Sequence, residues 1–405
     1  MKNIQLNQIL EISKETEFYR HRLSDFSDKM IVDDALLTKK ELQVFKDELL
    51  VSKYKNAKKA ILEISRTSGS SGKFVEVYWK KDDLLRSNLC LWRKRREYYG
   101  ITALDKFVSF HSLVYNGGQL LEPRDITSLN RKTNFSICKF DFSEDTLEYY
   151  CSKIKKFNPI WMFAQPSSIL LFSDLLKRNN ITPNSIMPNL KYIELTGEML
   201  LKGEKEFLKD FYGVSVSNMY GCNEVNAIAY ECPYGNMHVL EDNVHIQQNH
   251  DGEIIITSLQ NTVMPIVGYN LGDIVMIEKN CGCRCGSNSL HSINSIIGRR
   301  SEYIDNINGK RVSSYELTYC IEYINSIMRN PILQFAAKVS NGVLILTLKI
   351  NSDFEKWKES IDKELKDQIA EFLHIDANLV SILYVSDYLY NPCGKLSLIK
   401  GRKNS

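Results

Sequence analysis

The chain has 405 residues, 43% of them hydrophobic and 25% charged, with a formal net charge of +3. That length accommodates two or three domains. The composition is that of a soluble globular protein, and the charge is too near zero to draw a nucleic acid or a membrane surface by bulk electrostatics. No stretch approaches the roughly 20 apolar residues of a membrane span, and the N-terminus has no apolar run of signal-peptide length. Ten cysteines are too sparse for a disulfide scaffold. The expectation is a cytoplasmic protein whose cysteines are thiols or metal ligands.

Residues 1–60 read as charged helices. In "LLTKKELQVFKDELL" the leucines and the phenylalanine recur at helical spacing, and Thr38 is placed to cap. "KAILEIS" predicts a short buried strand and "KFVEVYWK" a second one. "DDLLRSNLCLWRKRREYYG" predicts a helix that stops at Gly100. From residue 105 to residue 260 the strand-like runs "KFVSFHSLVY", "PIWMFA", "KYIELTG" and "GEIIITSL" are interspersed with the helix-like runs "SEDTLEYYCSKIKKF", "SSILLFSDLLKRNN" and "KGEKEFLKDFYG". Such alternation predicts strands covered by helices. Past "GRRSEYIDNINGKRVS" the character changes. "FAAKVSNGVLILTLKI" predicts a hairpin turning at Asn341-Gly342. "DFEKWKESIDKELKDQIAEFL" predicts a long amphipathic helix, and "NLVSILYVS" a further strand. The expected fold class is α/β: a large multi-layer N-terminal domain over residues 1–300 and a small, mobile C-terminal α+β domain over residues 301–405.

"TSGSSGKF", Thr67–Phe74, packs two glycines, four hydroxyl side chains and one lysine into eight residues between two predicted strands. Glycines let successive backbone N–H groups close on an oxyanion, the hydroxyls donate, and Lys73 neutralises charge. A P-loop requires four residues between its glycines. Here two separate Gly69 from Gly72, and Phe74 rather than Ser or Thr follows the lysine. Alone, the stretch reads equally as a flexible Gly/Ser turn.

Its companions decide the matter. "ELTGE" at 194–198, "MYGCNE" at 219–224, "GYNLGDIV" at 268–275, "GRRSEY" at 298–303 and "CGKLSLIK" at 393–400 follow in order. With "TSGSSGK" they make the chain resemble the adenylate-forming superfamily of acyl-CoA synthetases, peptide-synthetase adenylation domains and luciferases. More narrowly it resembles the phenylacetate-CoA ligase-like branch that includes the CapK-like proteins. "LLTKKEL", "FAQPSSILLF" and a C-x5-H…C-x-C pattern fit that branch, and the resemblance spans nearly the whole chain.

The resemblance implies a carboxylate reacting with MgATP to give an acyl-adenylate and pyrophosphate, followed by transfer to a thiol. Thr67, Ser68, Gly69, Ser70, Ser71, Gly72 and Lys73 match the loop that holds the outer phosphates. Gly197 and Glu198 match an element lining the nucleotide pocket. Tyr220, Gly221, Cys222, Asn223 and Glu224 match the family's Tyr-Gly-x-Thr-Glu segment, which places Tyr220 near adenine and Glu224 on Mg²⁺, a cation that takes oxygen ligands. Asn223 stands where the family usually has Thr or Ser. Asp273 matches the acid that accepts from the ribose hydroxyls, and Arg299 the arginine that approaches ribose and phosphate. Lys395 matches the lysine that the small domain brings to the carboxylate and the α-phosphate. Arginines usual near Gly268 and Asn270 are missing, and Ser301 and Glu302 replace the usual hinge aspartate.

A second constellation concerns metal. Cys232 and His238 are separated by five residues in "CPYGNMH", and Cys281, Cys283 and Cys285 crowd "NCGCRCGSN". Thiolates and an imidazole in two short clusters suit tetrahedral Zn²⁺. Matching the branch's C-x-C-G pattern selects Cys232, His238, Cys283 and Cys285, with Cys281 as the spare. Four protein ligands make the site structural.

The function expected is ATP-dependent activation of a carboxylic acid, aryl or arylacetic by the branch's preference, and transfer to CoA. A carrier-protein phosphopantetheine thiol or an amine is the alternative acceptor. A zinc-stabilised binding protein that keeps the fold without activity is the rival from another class. Its distinguishing property is nucleotide affinity indifferent to carboxylate.

Overall fold

In the computed structural model the described residues are 2–20, 22, 37–55, 62–66, 75–111, 115–116, 119–120, 132–138, 143–279, 282–299, 303–307 and 309–386. The 67–74 loop with Lys73, the spare Cys281, the hinge candidates Ser301 and Glu302, and Lys395 lie outside them. The chain packs as two units, Met1–Thr102 with Asn218–Arg300 and Ala103–Ser217 with Ser301–Ser405.

The first unit is organised by antiparallel strands in the order Val244–Gln248, Glu253–Ser258, Tyr269–Lys279, His291–Arg299, Met237–Val239, Asn226–Glu231 and the 218–222 end of Ser215–Cys222. The sequence pattern predicts strands alternating with helices through residue 260, yet among the described residues no helix interrupts the chain from 215 to 299. The reason is visible in Glu253–Ser258, buried at all six positions. A strand covered on both faces loses its polar alternation and reads like one from a parallel sheet. Its partners are nevertheless antiparallel, with Ile256 opposite Ile246 on one side and Tyr269 on the other.

Local chemistry fixes the surrounding elements. The two strands expected on either side of the glycine-rich loop are Leu62–Arg66 and Glu76–Lys80. They pair antiparallel, and among the described side chains of the first only Leu62 is buried, with Glu63 exposed. The Lys81–Tyr99 helix begins on Asp82 and Asp83, which favour its positive end, and stops at Gly100, whose φ of 68° closes a left-handed cap. Asp83 also reaches outward. Its Oδ2 accepts the N–H of Thr262 at 2.9 Å and the hydroxyl at 2.7 Å. Thr38 caps Lys39–Val44 in a reciprocal box with Glu41. The helix is shorter than its leucine pattern suggests. Leu49, Leu50 and Val51 leave it for the core, and Val51 N–H donates to Val263 O at 3.0 Å.

In the second unit the alternation holds. Tyr192–Thr196, Trp161–Ala164, Phe107–His111 and Asn134–Cys138 run parallel in that order. The helices Glu144–Phe157, Pro166–Arg178 and Lys202–Tyr212 supply apolar residues to their shared core. Residues 303–386 of this unit build a core of their own, which Leu201 enters from the start of Lys202–Tyr212. The predicted hairpin is Ile332–Ser340 with Val343–Ile350. Asn341 and Gly342 have φ of 51° and 77°, the two left-handed residues that a tight hairpin turn requires. Val380–Tyr384 adds a parallel strand, and the predicted amphipathic helix is Lys358–Leu373. Among the described residues no helix is long and apolar enough to cross a membrane.

Candidate functional site

The "MYGCNE" segment is the end of one strand and the turn into the next. Gly221 sits opposite Ala227 in the ladder. A Cβ there would lie 2.4 Å from the carbonyl oxygen of Asn226, so only glycine fits. Asn243, fully buried, donates from Nδ2 to Val225 O at 3.0 Å and to Ala227 O at 2.7 Å, which holds the turn closed. Gly221→Ala is therefore expected to destabilise the protein by about 2–3 kcal/mol through backbone displacement. Nucleotide affinity is expected to fall with it; denaturant unfolding and calorimetry check the two effects.

This turn presents Glu224, which is 4% exposed. Its Oε1 accepts the hydroxyl of Tyr269 at 3.1 Å. No lysine or arginine among the described residues pairs with it. A carboxylate oxygen is the kind of donor that Mg²⁺ takes. Close packing pushes the neighbouring Cys222 thiol well above its ordinary range, with the Glu224 carboxylate adding to the effect. The Cys222 thiol is thus protonated.

Asp273, 6% exposed, accepts the hydroxyl of Tyr220 at 2.8 Å through Oδ2. Arg299 lies directly opposite Asp273 in the antiparallel ladder, which sets its backbone beside that acid. Tyr220 and Tyr269, which hold the two carboxylates, belong to one hydrophobic cluster of the unit. Where arginines were expected, the polar groups are used locally, mostly on the neighbouring strand Glu253–Ser258. Gly268 N–H donates to Thr257 Oγ1 at 3.0 Å, Asn270 Nδ2 to Glu253 Oε2 at 3.0 Å, and Gly272 N–H to Asn270 Oδ1 at 2.7 Å. Asn223 is exposed on the turn.

Gly197 and Glu198 belong to the other unit. Gly197 adopts φ of 81° beside the Gln165 side chain. Glu198 accepts the Ser167 N–H at 3.0 Å, at the start of the Pro166–Arg178 helix. Sequence reasoning missed Tyr269 and Asn243. Tyr269 stands inside the "GYNLGD" motif, and a tyrosine in a mostly apolar strand signals a buried hydroxyl in need of a partner.

The metal candidates converge. The ligand atoms of Cys232, His238, Cys283 and Cys285 all lie within 4.8 Å of one another. Cys232 opens the turn after Asn226–Glu231, closed by Gly235 N–H donating to Cys232 O at 2.9 Å, and His238 lies in the strand Met237–Val239 that follows. The second pair sits on a turn closed by Gly286 N–H and Cys283 O at 3.0 Å. Glu241 anchors that second loop, accepting the Leu290 N–H at 2.9 Å and facing His291 Nδ1 at 2.8 Å. Cys232 Sγ is 3.8 Å from Cys283 Sγ, and Cys285 Sγ is 3.1 Å from His238 Nε2. Two thiolates on one tetrahedral Zn²⁺ at about 2.3 Å stand about 3.8 Å apart, whereas a disulfide requires about 2.05 Å. The donor set and spacing therefore fit zinc. Burial, with Lys94 nearby, holds His238 below the ordinary histidine range, in the neutral form that ligates. Burial opposes ionisation of Cys283, but hydrogen bonds from the Cys285 backbone and from the Cys285, Asn236 and Cys232 side chains outweigh it and lower its pKa.

No family model matches the chain. Protein CapK of Staphylococcus aureus is 24% identical over 380 residues, covering 88% of this chain and 78% of that protein. The solved structure of 2-hydroxyisobutyryl-CoA ligase in the postadenylation state with 2-HIB-AMP superposes with a TM-score of 0.74 at 14% identity, covering 98% of this chain and 88% of that one. The chain has the fold of the adenylate-forming ligases. The adenylate-forming fold is also matched through the acyl acid amido synthetase AtGH3.15, with a TM-score of 0.63, 14% identity and coverage of 95% and 86%. The similarity to CapK falls in the branch that the motif order indicates.

Proposed function

We propose that the protein activates a carboxylic acid with ATP and passes the acyl group to a thiol, CoA being the leading acceptor. In the first step a carboxylate oxygen bonds to the α-phosphorus, the bond to the bridging oxygen of the β-phosphate breaks, and pyrophosphate leaves. In the second, the acceptor sulfur bonds to the acyl carbon and AMP departs. The observation that carries this reading is the pair of secluded carboxylates, Glu224 and Asp273, each held by a tyrosine of one core cluster in an adenylate-forming fold.

In this reading Glu224 holds Mg²⁺, which when bound offsets the charge of the triphosphate. Asp273 accepts from the ribose hydroxyls, with Arg299 beside it. Lys73 and the hydroxyls of residues 67–72 bind the departing pyrophosphate, and Gly197 and Glu198 line the pocket. Residues 301–405 form the small domain that supplies Lys395 and moves between the two steps. Zinc on Cys232, His238, Cys283 and Cys285 ties two loops of the nucleotide-binding unit together, and the protein works in the cytoplasm. An amine acceptor is the second reading. It is supported by the likeness to AtGH3.15, a protein described as an acyl acid amido synthetase.

A panel of carboxylic acids in a pyrophosphate-release assay tests the proposal, with CoA, a carrier protein or amines supplied in parallel. Release that depends on one aryl or arylacetic acid, with thioester formed when CoA is present, is expected. Release indifferent to every acid, with no change in nucleotide affinity on adding them, overturns it in favour of an inactive binding protein.

A further inference from the structure

We propose that Tyr269 is the positioning residue for Glu224: its hydroxyl fixes the carboxylate in the orientation that a nucleotide-bound divalent cation requires. The inference rests on the reading of Glu224 as that cation's ligand. A glutamate on a turn has three rotatable side-chain bonds, and an unfixed carboxylate pays for its freedom when it binds a metal. Glu224 is not left free. Tyr269 O–H donates to Oε1 at 3.1 Å.

The donor is itself immobilised. Tyr269 is 1% exposed within the main hydrophobic cluster of its unit. Its backbone is fastened on both sides by Leu37, whose N–H donates to Gly268 O at 3.2 Å and whose carbonyl accepts Asn270 N–H at 2.9 Å. Gly268 and Asn270 are committed to Thr257 and Glu253, so the strand cannot twist to re-aim the ring. A phenol suits this role better than a lysine or arginine would. It orients the carboxylate without cancelling the charge that attracts the cation. Groups that aim a metal's ligand in this way typically contribute 10–100-fold to metal affinity.

The test uses the full-length chain, ATP and Mn²⁺ as the paramagnetic probe. Electron paramagnetic resonance gives the Mn²⁺ dissociation constant at saturating ATP, and calorimetry gives the affinity for ATP alone. Tyr269→Phe is expected to weaken Mn²⁺ binding about tenfold or more, with ATP alone bound within about twofold of the original strength. Combined with Glu224→Gln it should add little further loss, because both changes remove one coupled unit. A purely structural tyrosine would lower the melting temperature and leave the Mn²⁺ constant unmoved, and that result overturns the inference while leaving the role of Glu224 intact. Unaltered Mn²⁺ binding in Glu224→Gln overturns both.

Discussion

Lys395→Ala is expected to reduce carboxylate-dependent pyrophosphate release by at least about 10³-fold, while calorimetry still finds ATP bound. The physical problem of the reaction is to bring two anions together. The incoming carboxylate and the triphosphate repel, and further negative charge gathers on the α-phosphate oxygens as the new bond forms. A cation placed between them acts where charge develops, so its loss falls on the chemical step rather than on binding. The buried acids of the first unit, Glu224 and Asp273, carry no positive charge to offer there. A variant that binds ATP normally and still releases pyrophosphate within about tenfold of the original rate removes Lys395 from the mechanism.

How much of this was legible beforehand depends on the range of the interactions. The hairpin at Asn341-Gly342, the stop at Gly100 and the Thr38–Glu41 cap are all decided by neighbours within a few residues, and sequence exposes them. The antiparallel run from residue 215 to residue 299 was not legible. Glu253–Ser258 is covered on both faces, and a fully buried strand carries no trace of its partner's direction. At the site, residue identities were legible through the order of the motifs, but their partners were not. The bonds from Tyr269 to Glu224 and from Tyr220 to Asp273 join residues 45 and 53 positions apart, and no local pattern encodes such distances. The cysteine spacing was the exception. Short-range ligand pairs leave a signature that survives however the intervening chain folds, and the two pairs do converge.

Removing the metal tests that convergence most directly. Elemental analysis of protein purified without chelator should find one zinc per chain, and stripping it, or Cys232→Ser, is expected to lower the melting temperature by about 5–10 °C, corresponding to a few kcal/mol. The loss should fall short of the roughly 10–16 kcal/mol that zinc contributes to small finger domains. Those domains have almost no core of their own, whereas this unit retains a large cluster around Trp79, Tyr220 and Tyr269. What zinc adds here is four coordinate bonds between the 232–238 segment and the 282–286 turn, where otherwise hydrogen bonds among the side chains link them. Without it, Cys232 and His238 are buried beside thiols with no covalent tie. Ligation needs deprotonated thiols, so the stabilisation should disappear as pH falls and protons displace the metal. Melting curves that coincide with and without chelator, from protein that contains no zinc, would show that hydrogen bonding among the four side chains is sufficient to hold the turns together.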